Sequence, residues 1–300
     1  MKTKIALILA LTISTFAYGQ TVVGIASGQP TGTNHPMAQD IVKVCSTPAM
    51  TINNIISDGS LDNIYKVHGD RNSQYGIVQA DALIYQQGID KKMMDKIVMV
   101  FPFFSTEVHL IAKEGSKINS LADLAGKKVV EGPEGSGTWV TVQVIKSLTG
   151  LQWTTIIASQ AEGLKMVQTG QADVEFIVAG KPIKMLESAQ GIKLIPVSNS
   201  ALDKFALYTP TMIQTGVYTF QKSAIKTIKV DNILATYTYK TNYQNEIYSL
   251  VSCITKNIDW LQSNGHPKWK DVNPVDIDRI KWPSHPAAVK AIKANLKPTK

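Results

Sequence analysis

Read for apolar and polar positions, the chain repeats one unit: a short apolar run, a turn rich in glycine and hydroxyl residues, then a segment of helical periodicity. Val22 to Ala26 ends in Gly28-Gln29-Pro30-Thr31-Gly32-Thr33-Asn34, and Pro36 opens a helical pattern. Proline fits a first helical turn because its missing N–H would be unpaired there anyway. Thr51 to Ile56 leads through Asp58-Gly59-Ser60 into a helix, and Tyr75 to Val78 leads through Gln79-Ala80-Asp81 into another. Lys128 to Val130 precedes the turn Glu131 to Thr138 and a helix from about Trp139 to Leu148, while Val174 to Val178 precedes Ala179-Gly180-Lys181-Pro182 and a further helix. Repeated strand, loop and helix units predict an α/β fold of mostly parallel sheets flanked by helices. Ligands of such sheets bind at the carboxyl ends of the strands, where these turns lie.

The units fall into two sets. After the strand-like Val108 to Ala112, the segment Ser116 to Lys128 starts a new sheet, so Val108 to Ala112 is a crossing between lobes. A second crossing is expected near residues 200–215, since Thr227 to Val230 and a helix from Thr241 to Ser263 still need a sheet to cover. In that helix Ile247, Leu250, Val251, Ile254, Ile258 and Leu261 recur at three- and four-residue steps, a buried face. The expectation is a two-lobed clamshell, with residues 20–113 and 201–300 in lobe 1 and 114–200 in lobe 2, a hinge of two crossings, and the ligand between the lobes.

Before the first unit, Lys2 and Lys4 precede an apolar run from Ile5 to Phe16 and the small-residue site Ala17-Tyr18-Gly19. The run is shorter than the roughly 20 residues a membrane span needs, so residues 1–19 read as a cleaved signal peptide and the mature chain as periplasmic. In that oxidising setting Cys45 and Cys253 are possible disulfide partners. Cys45 shares a helical face with Met37 and Ile41, and packing there as a small hydrophobe is the other reading.

Composition narrows the partners. The 300 residues, 44% hydrophobic and 18% charged, suit a folded chain of two domains. The net charge of +8 raises nucleic acid as a partner, but of 31 basic residues only Arg71 and Arg279 are arginines, so no nucleic-acid role is expected. Without Lys2 and Lys4 the chain has 29 basic and 23 acidic residues, or +6; eight basic against three acidic residues from Ser263 onward carry +5 of it. That basic tail reads as solvated surface or as a docking patch, and no arginine clamp is expected in the site.

The loop Gly132-Pro-Glu-Gly-Ser-Gly137-Thr138 has the glycine spacing of a phosphate-binding loop but lacks its lysine, which argues against nucleotide hydrolysis. What remains is a helix N-terminus whose free N–H groups and dipole attract an anion. Histidines 35, 68, 109, 266 and 285 are scattered, without His-x-x-x-His or Cys-x-x-Cys metal spacing or a Gly-x-Ser-x-Gly elbow. Neither a cofactor nor a metal is expected, nor an enzyme. A hydrolase would need a pair assembled by folding, for example His35 with Ser136.

Gly-Ser-Leu-Asp-Asn at 59–63, Gly-Ile-Val-Gln-Ala-Asp at 76–81, Glu-Val-His-Leu at 107–110, Leu-Ala-Asp-Leu-Ala-Gly-Lys-Lys-Val at 121–129, Gly-Ser-Gly-Thr at 135–138 and Val-Ala-Gly-Lys-Pro at 178–182 occur in the order seen in TAXI solute-binding proteins, which the chain resembles. These are the extracytoplasmic receptors of a class of TRAP transporters. The resemblance implies a type II periplasmic-binding-protein fold; a monomer is the expected state. It also implies a small organic anion as ligand, a carboxylate or an amino acid such as glutamate, delivered to TRAP membrane permease subunits. A receptor docking on a membrane sensor is the alternative. The chain departs from the family pattern at Gly32-Thr33-Asn34-His35-Pro36, where Asn34 and His35 replace two tyrosines, so ligand identity does not carry over. Gly265-His266-Pro267-Lys268-Trp269 looks like a feature of a subset of these proteins and has no assigned role.

Carried over residue by residue, the site comprises Thr33, Asn34 and His35 from the first loop, Ser60 from the second, and Gln79 and Asp81 at the third strand's end. Ser136, Gly137 and Thr138 would meet the ligand's carboxylate, Gly180 would allow close backbone approach, and Tyr218 would form a wall. Ser136, Thr138 and Asp81 have helix capping as their plainer role, and Lys181 solvation.

Overall fold

The computed structural model describes residues 21–238 and 243–296; the signal segment and the end of the basic tail lie outside them. In chain order the strands and helices are β1 (Thr21–Ala26), α1 (Asn34–Cys45), β2 (Met50–Ile55), α2 (Ser60–Gly69), β3 (Tyr75–Gln79), α3 (Ala80–Ile89), α4 (Lys91–Met94) and β4 (Ile97–Lys113). They continue with β5 (Lys128–Val130), α5 (Gly137–Thr149), β6 (Thr154–Ile156), α6 (Gln160–Thr169), β7 (Val174–Ala179), α7 (Lys184–Glu187), β8 (Ile192–Ile195) and α8 (Ser200–Lys204). The last are β9 (Tyr208–Ile213), β10 (Ile225–Tyr237), α9 (Gln244–Lys256), α10 (Ile258–Asn264) and α11 (Pro286–Asn295).

The strands form one mixed sheet in the order β2-β1-β3-β10-β4-β7-β5-β6, with β8 added to β4 and β9 to β10. The strand-loop-helix units give the parallel pairs, β1 with β2 and β3, and β5 with β6 and β7. The two long strands β4 and β10 run antiparallel to each other and join the two sets. The central place of β4 follows from its sequence: Ile97 to Phe104 is a continuous apolar run, buried on both faces as a central strand must be.

β10 carries the second crossing. Its first half, Ile225 to Val230, pairs with β9, and its second half, Asn232 to Thr236, pairs with β3. The crossing expected at 200–215 therefore lies later in the chain. Residues 200–213 belong with the second strand set, because Leu202 and Tyr208 fill the same core as Val108, Leu110 and Phe176.

The helix expected over Thr241–Ser263 is two helices, with residues 241 and 242 outside the described chain. The break is Asn257, whose side-chain Nδ2 donates to the Cys253 carbonyl at 2.9 Å and competes with the backbone. The apolar stripe survives the break, with Ile247, Leu250, Val251, Ile254 and Leu261 buried in the core under β1, β3 and β4. A disulfide between Cys45 and Cys253 ties α9 to α1. Among the described residues no helix is long and apolar enough to cross a membrane.

Candidate functional site

Where β10 changes partner from β9 to β3, the sheet opens and a cavity of about 550 Å³ forms over it. This is the switch point at which an α/β sheet places its ligands. Gln79, Asn232 and Thr106, from the adjacent strands β3, β10 and β4, border it. The turns after β1 and β2 and those opening α5 and α6 surround it, and Val178, Ala179, Ile183 and Met185 supply an apolar side.

Four helices of 10 to 13 residues start at this cavity: α1 at Thr33 and Asn34, α2 at Gly59 and Ser60, α5 at Ser136 and Gly137, and α6 at Ser159 and Gln160. The α5 and α6 ends are capped, Ser136 Oγ accepting from the Trp139 N–H and Ser159 forming a capping box with Glu162. The α1 and α2 ends have no side-chain cap, although in the first turn of α2 the Leu61 N–H donates to the Gly135 carbonyl at 3.2 Å. Each N-terminus carries roughly half a positive charge, and its unpaired N–H groups are donors. Among the described residues no lysine, arginine or histidine lines the cavity, and Asp58, the one charged residue among those that do, is exposed at the edge. Among the described residues the donors toward an anion there are thus backbone dipoles and hydroxyls, offset at α2 and α6 by Asp62 and Glu162 in their first turns.

The hydroxyls are set to donate. Ser60 Oγ accepts from the Gln79 N–H at 3.2 Å, and Thr138 Oγ1 accepts from the Val178 N–H at 3.0 Å. An oxygen used as an acceptor keeps its own proton for a ligand. Gly137 meets Gln79 so closely that a Cβ would overlap Gln79 Oε1, and Gln79 Nε2 donates to Thr141 on α5 at 3.2 Å. The backbone N–H of Gly180 donates to Thr33 Oγ1 at 3.1 Å. These contacts bring the two strand sets together around the cavity.

Of the expected site residues, Thr33, Asn34, Ser60, Gln79, Ser136, Gly137 and Thr138 line the cavity and Gly180 touches it through Thr33. His35, Asp81 and Tyr218 do not. His35 is turned toward Ser27, 3.1 Å from its Nδ1, and Asn54, 3.3 Å from its Nε2; no hydrogen bond joins it to Ser136. Asp81 is buried, and its Oδ2 accepts from Thr141 at 2.6 Å and Tyr208 at 3.0 Å, so it joins α3 to α5 and β9. Burial pushes its carboxyl up to about 6. The Tyr218 hydroxyl, behind Ile183, accepts from the Ile183 N–H at 3.0 Å and lies 2.9 Å from His109 Nε2. Burial holds His109 down at about 4, leaving it neutral.

The lysines also depart from expectation. Lys181 pairs with buried Glu107 at 3.0 Å rather than standing in solvent. Lys268, from the supposedly solvated tail, is itself buried and pairs with Glu107 at 3.0 Å and Asp271 at 2.6 Å. A Cβ on Gly180 would come within 2.8 Å of its stem and 3.0 Å of Thr33 Cγ2, so a larger residue there would have to displace them. Thr106, Ser159, Gln160 and Asn232 were not anticipated; the Ser159-x-x-Glu162 capping box was the available signal for the α6 end.

With this geometry in view, a family model described as NMT1-like matches residues 25–293. The chain belongs to the NMT1-like family. This NMT1-like chain also has the type II periplasmic-binding-protein fold. It superposes on a structure described as a periplasmic transporter with a TM-score of 0.57, 14% identity, and coverage of 93% of this chain and 97% of that one. A structure described as the periplasmic sulfonate-binding protein SsuA of a sulfonate ABC transporter from Methylobacillus flagellatus KT gives 0.52, at 14% identity over 92% of this chain and 77% of that one. A structure of GshT, described in glutathione import with an ABC importer of Streptococcus mutans, gives 0.51, at 14% identity over 87% of this chain and 100% of that one. At such identities the likeness is one of fold. The expected type II periplasmic-binding-protein fold is met, and the family that matches is the NMT1-like one.

Proposed function

We propose that this protein is an extracytoplasmic solute-binding receptor that captures a small organic anion, a carboxylate or an amino acid such as glutamate, and delivers it to a TRAP-type membrane permease. The observation that carries the reading is the convergence of four helix N-termini on a cavity that has no cationic side chain among the described residues. Such a site stabilises a negative group by dipoles and N–H donors, and it is built from both strand sets, as a receptor that closes on its ligand requires. Thr33, Asn34, Ser60, Gln79, Ser136, Gly137 and Thr138 are the contacts in this reading. The fold neighbours described as sulfonate-binding and glutathione-importing proteins agree with a transport role, and the motif order shared with TAXI receptors favours a TRAP permease over an ABC importer.

A thermal-shift screen of residues 20–300 against dicarboxylates, amino acids, sulfonates and neutral compounds tests it. A ligand at a hundred times its dissociation constant adds about 2.7 kcal/mol of stability, several degrees in melting temperature. The expected result is a shift with one or more small anions that is lost in Gly137→Val. A shift with neutral compounds and none with anions overturns the reading.

A further inference from the structure

The residues bordering the cavity are sorted by side. The turns after β1 and β2 and the end of β3 line it with polar residues and glycine alone, whereas its apolar lining, Pro133, Ala161, Val178, Ala179, Ile183 and Met185, comes entirely from the second strand set. Val178, Ala179 and Ile183 are 7 to 8% exposed, Pro133 and Met185 are half-buried, and Ala161 is exposed, so each keeps surface that a ligand can cover. Covering apolar surface with hydrocarbon is favourable in proportion to the area taken from water. At about 550 Å³ the cavity lies in the range that houses drug-sized ligands, with room for such a body beside an acid group. It offers little to an ammonium group. Asp81, the carboxylate expected to accept from a ligand amine, is fully buried and held by Thr141 and Tyr208. Among the described residues Asp58 is the one carboxylate at the cavity; it is exposed at the edge, where water and salt screen it, and its Oδ1 already accepts from Gln29 Nε2 at 3.2 Å. Helix N-termini repel a cation by the same dipole that attracts an anion. We infer that the ligand is an acid with a branched or ring-bearing apolar body and no ammonium group, its hydrocarbon lying on the wall of Val178, Ala179, Ile183 and Met185. The inference rests on the anion-receptor reading and narrows it, placing amine-free acids above amino acids such as glutamate.

Isothermal titration of residues 20–300 with pairs that differ by the amine tests this: 4-methylpentanoate with leucine, 3-phenylpropanoate with phenylalanine, glutarate with glutamate, and ethanesulfonate with taurine. In the wild type the amine-free member of each pair that binds is tighter by about tenfold or more, the effect of an ammonium desolvated without a carboxylate. On the second axis, 4-methylpentanoate or 3-phenylpropanoate binds about tenfold or more tighter than propanoate, the effect of the added hydrocarbon on the apolar wall. Two variants at half-buried positions of the lining check each axis. Asn34→Asp, which sets an isosteric carboxylate at the cavity, brings leucine about tenfold closer to 4-methylpentanoate. Met185→Ser brings propanoate about threefold closer to 3-phenylpropanoate. If an amino acid binds as tightly as its amine-free counterpart, if propanoate matches the larger acids, or if both ratios persist in the variants, the inference fails and the receptor reading stands. If none of these acids, sulfonates or amino acids binds, the receptor reading fails and takes the inference with it.

Discussion

Glu175 is a carboxyl with no partner. Alternation along β7 puts Val174, Phe176 and Val178 in one core and Ile177 and Ala179 in the other, and Glu175 points with the latter, beneath Gly163 of α6. Both its oxygens are buried without a hydrogen bond among the described residues, and burial pushes its carboxyl up to about 9. An acid that holds its proton longer when folded than when unfolded leaves stability intact below its unfolded value of 4.5 and drains it as pH rises toward 9. The drain is about 1.4 kcal/mol per pH unit. Glu175→Met, similar in volume and apolar, is expected to raise the melting temperature by several degrees at pH 8 and by much less at pH 5. An equal change at both pH values would show that the carboxyl stays ionised. At this scale the sequence revealed Ser60, Ser136 and Thr138, because a hydroxyl in a turn before a helix has a local reason to be there. Asp81 and Tyr218 carried suitable chemistry, but which way a side chain turns is decided by partners such as Thr141, Tyr208 and His109, distant in sequence.

Among elements, the repeated units could be read because strand, turn and first helical turn are adjacent in sequence. The antiparallel strands could not, because β4 and β10 meet over a separation of more than a hundred residues. The Gly265 to Trp269 element was equally opaque alone. In the structure it is a strap: the His266 N–H and Trp269 Nε1 donate to Asp40 Oδ2 on α1, at 2.7 and 2.9 Å, while Lys268 reaches Glu107 on β4. Trp269 is fully buried against Phe103. Lys268 thus neutralises, with Lys181, a carboxylate buried between the two strand sets. Removing one partner of such a cluster strands a charge, whereas removing both leaves a neutral gap. Lys268→Met is expected to cost about 3 kcal/mol or more in urea unfolding, and Glu107→Gln combined with it to recover part of that loss. A double variant no more stable than Lys268→Met would mean that Lys268 acts through its packed stem rather than its charge.

For the molecule as a whole, a ligand can shift the balance between open and closed forms only by its difference in affinity for the two. Here that difference has a structural source. The N-termini of α1 and α2 come from one strand set and those of α5 and α6 from the other, so in the proposed receptor an acid group would gain its full complement of donors only when the sets are together. The two sets also approach closely at Gly137, where a Cβ would displace the Gln79 side-chain amide. Gly137→Val is therefore expected to leave each set folded, with unchanged far-ultraviolet circular dichroism, while holding the sets apart. Small-angle X-ray scattering should show the wild type contracting when the tightest-binding acid of the screen is added, and the variant neither contracting nor binding within about tenfold of wild-type affinity. If the variant binds weakly yet contracts fully, Gly137 serves the ligand contact alone, and closure is governed by β4, β10 and the Lys268 strap.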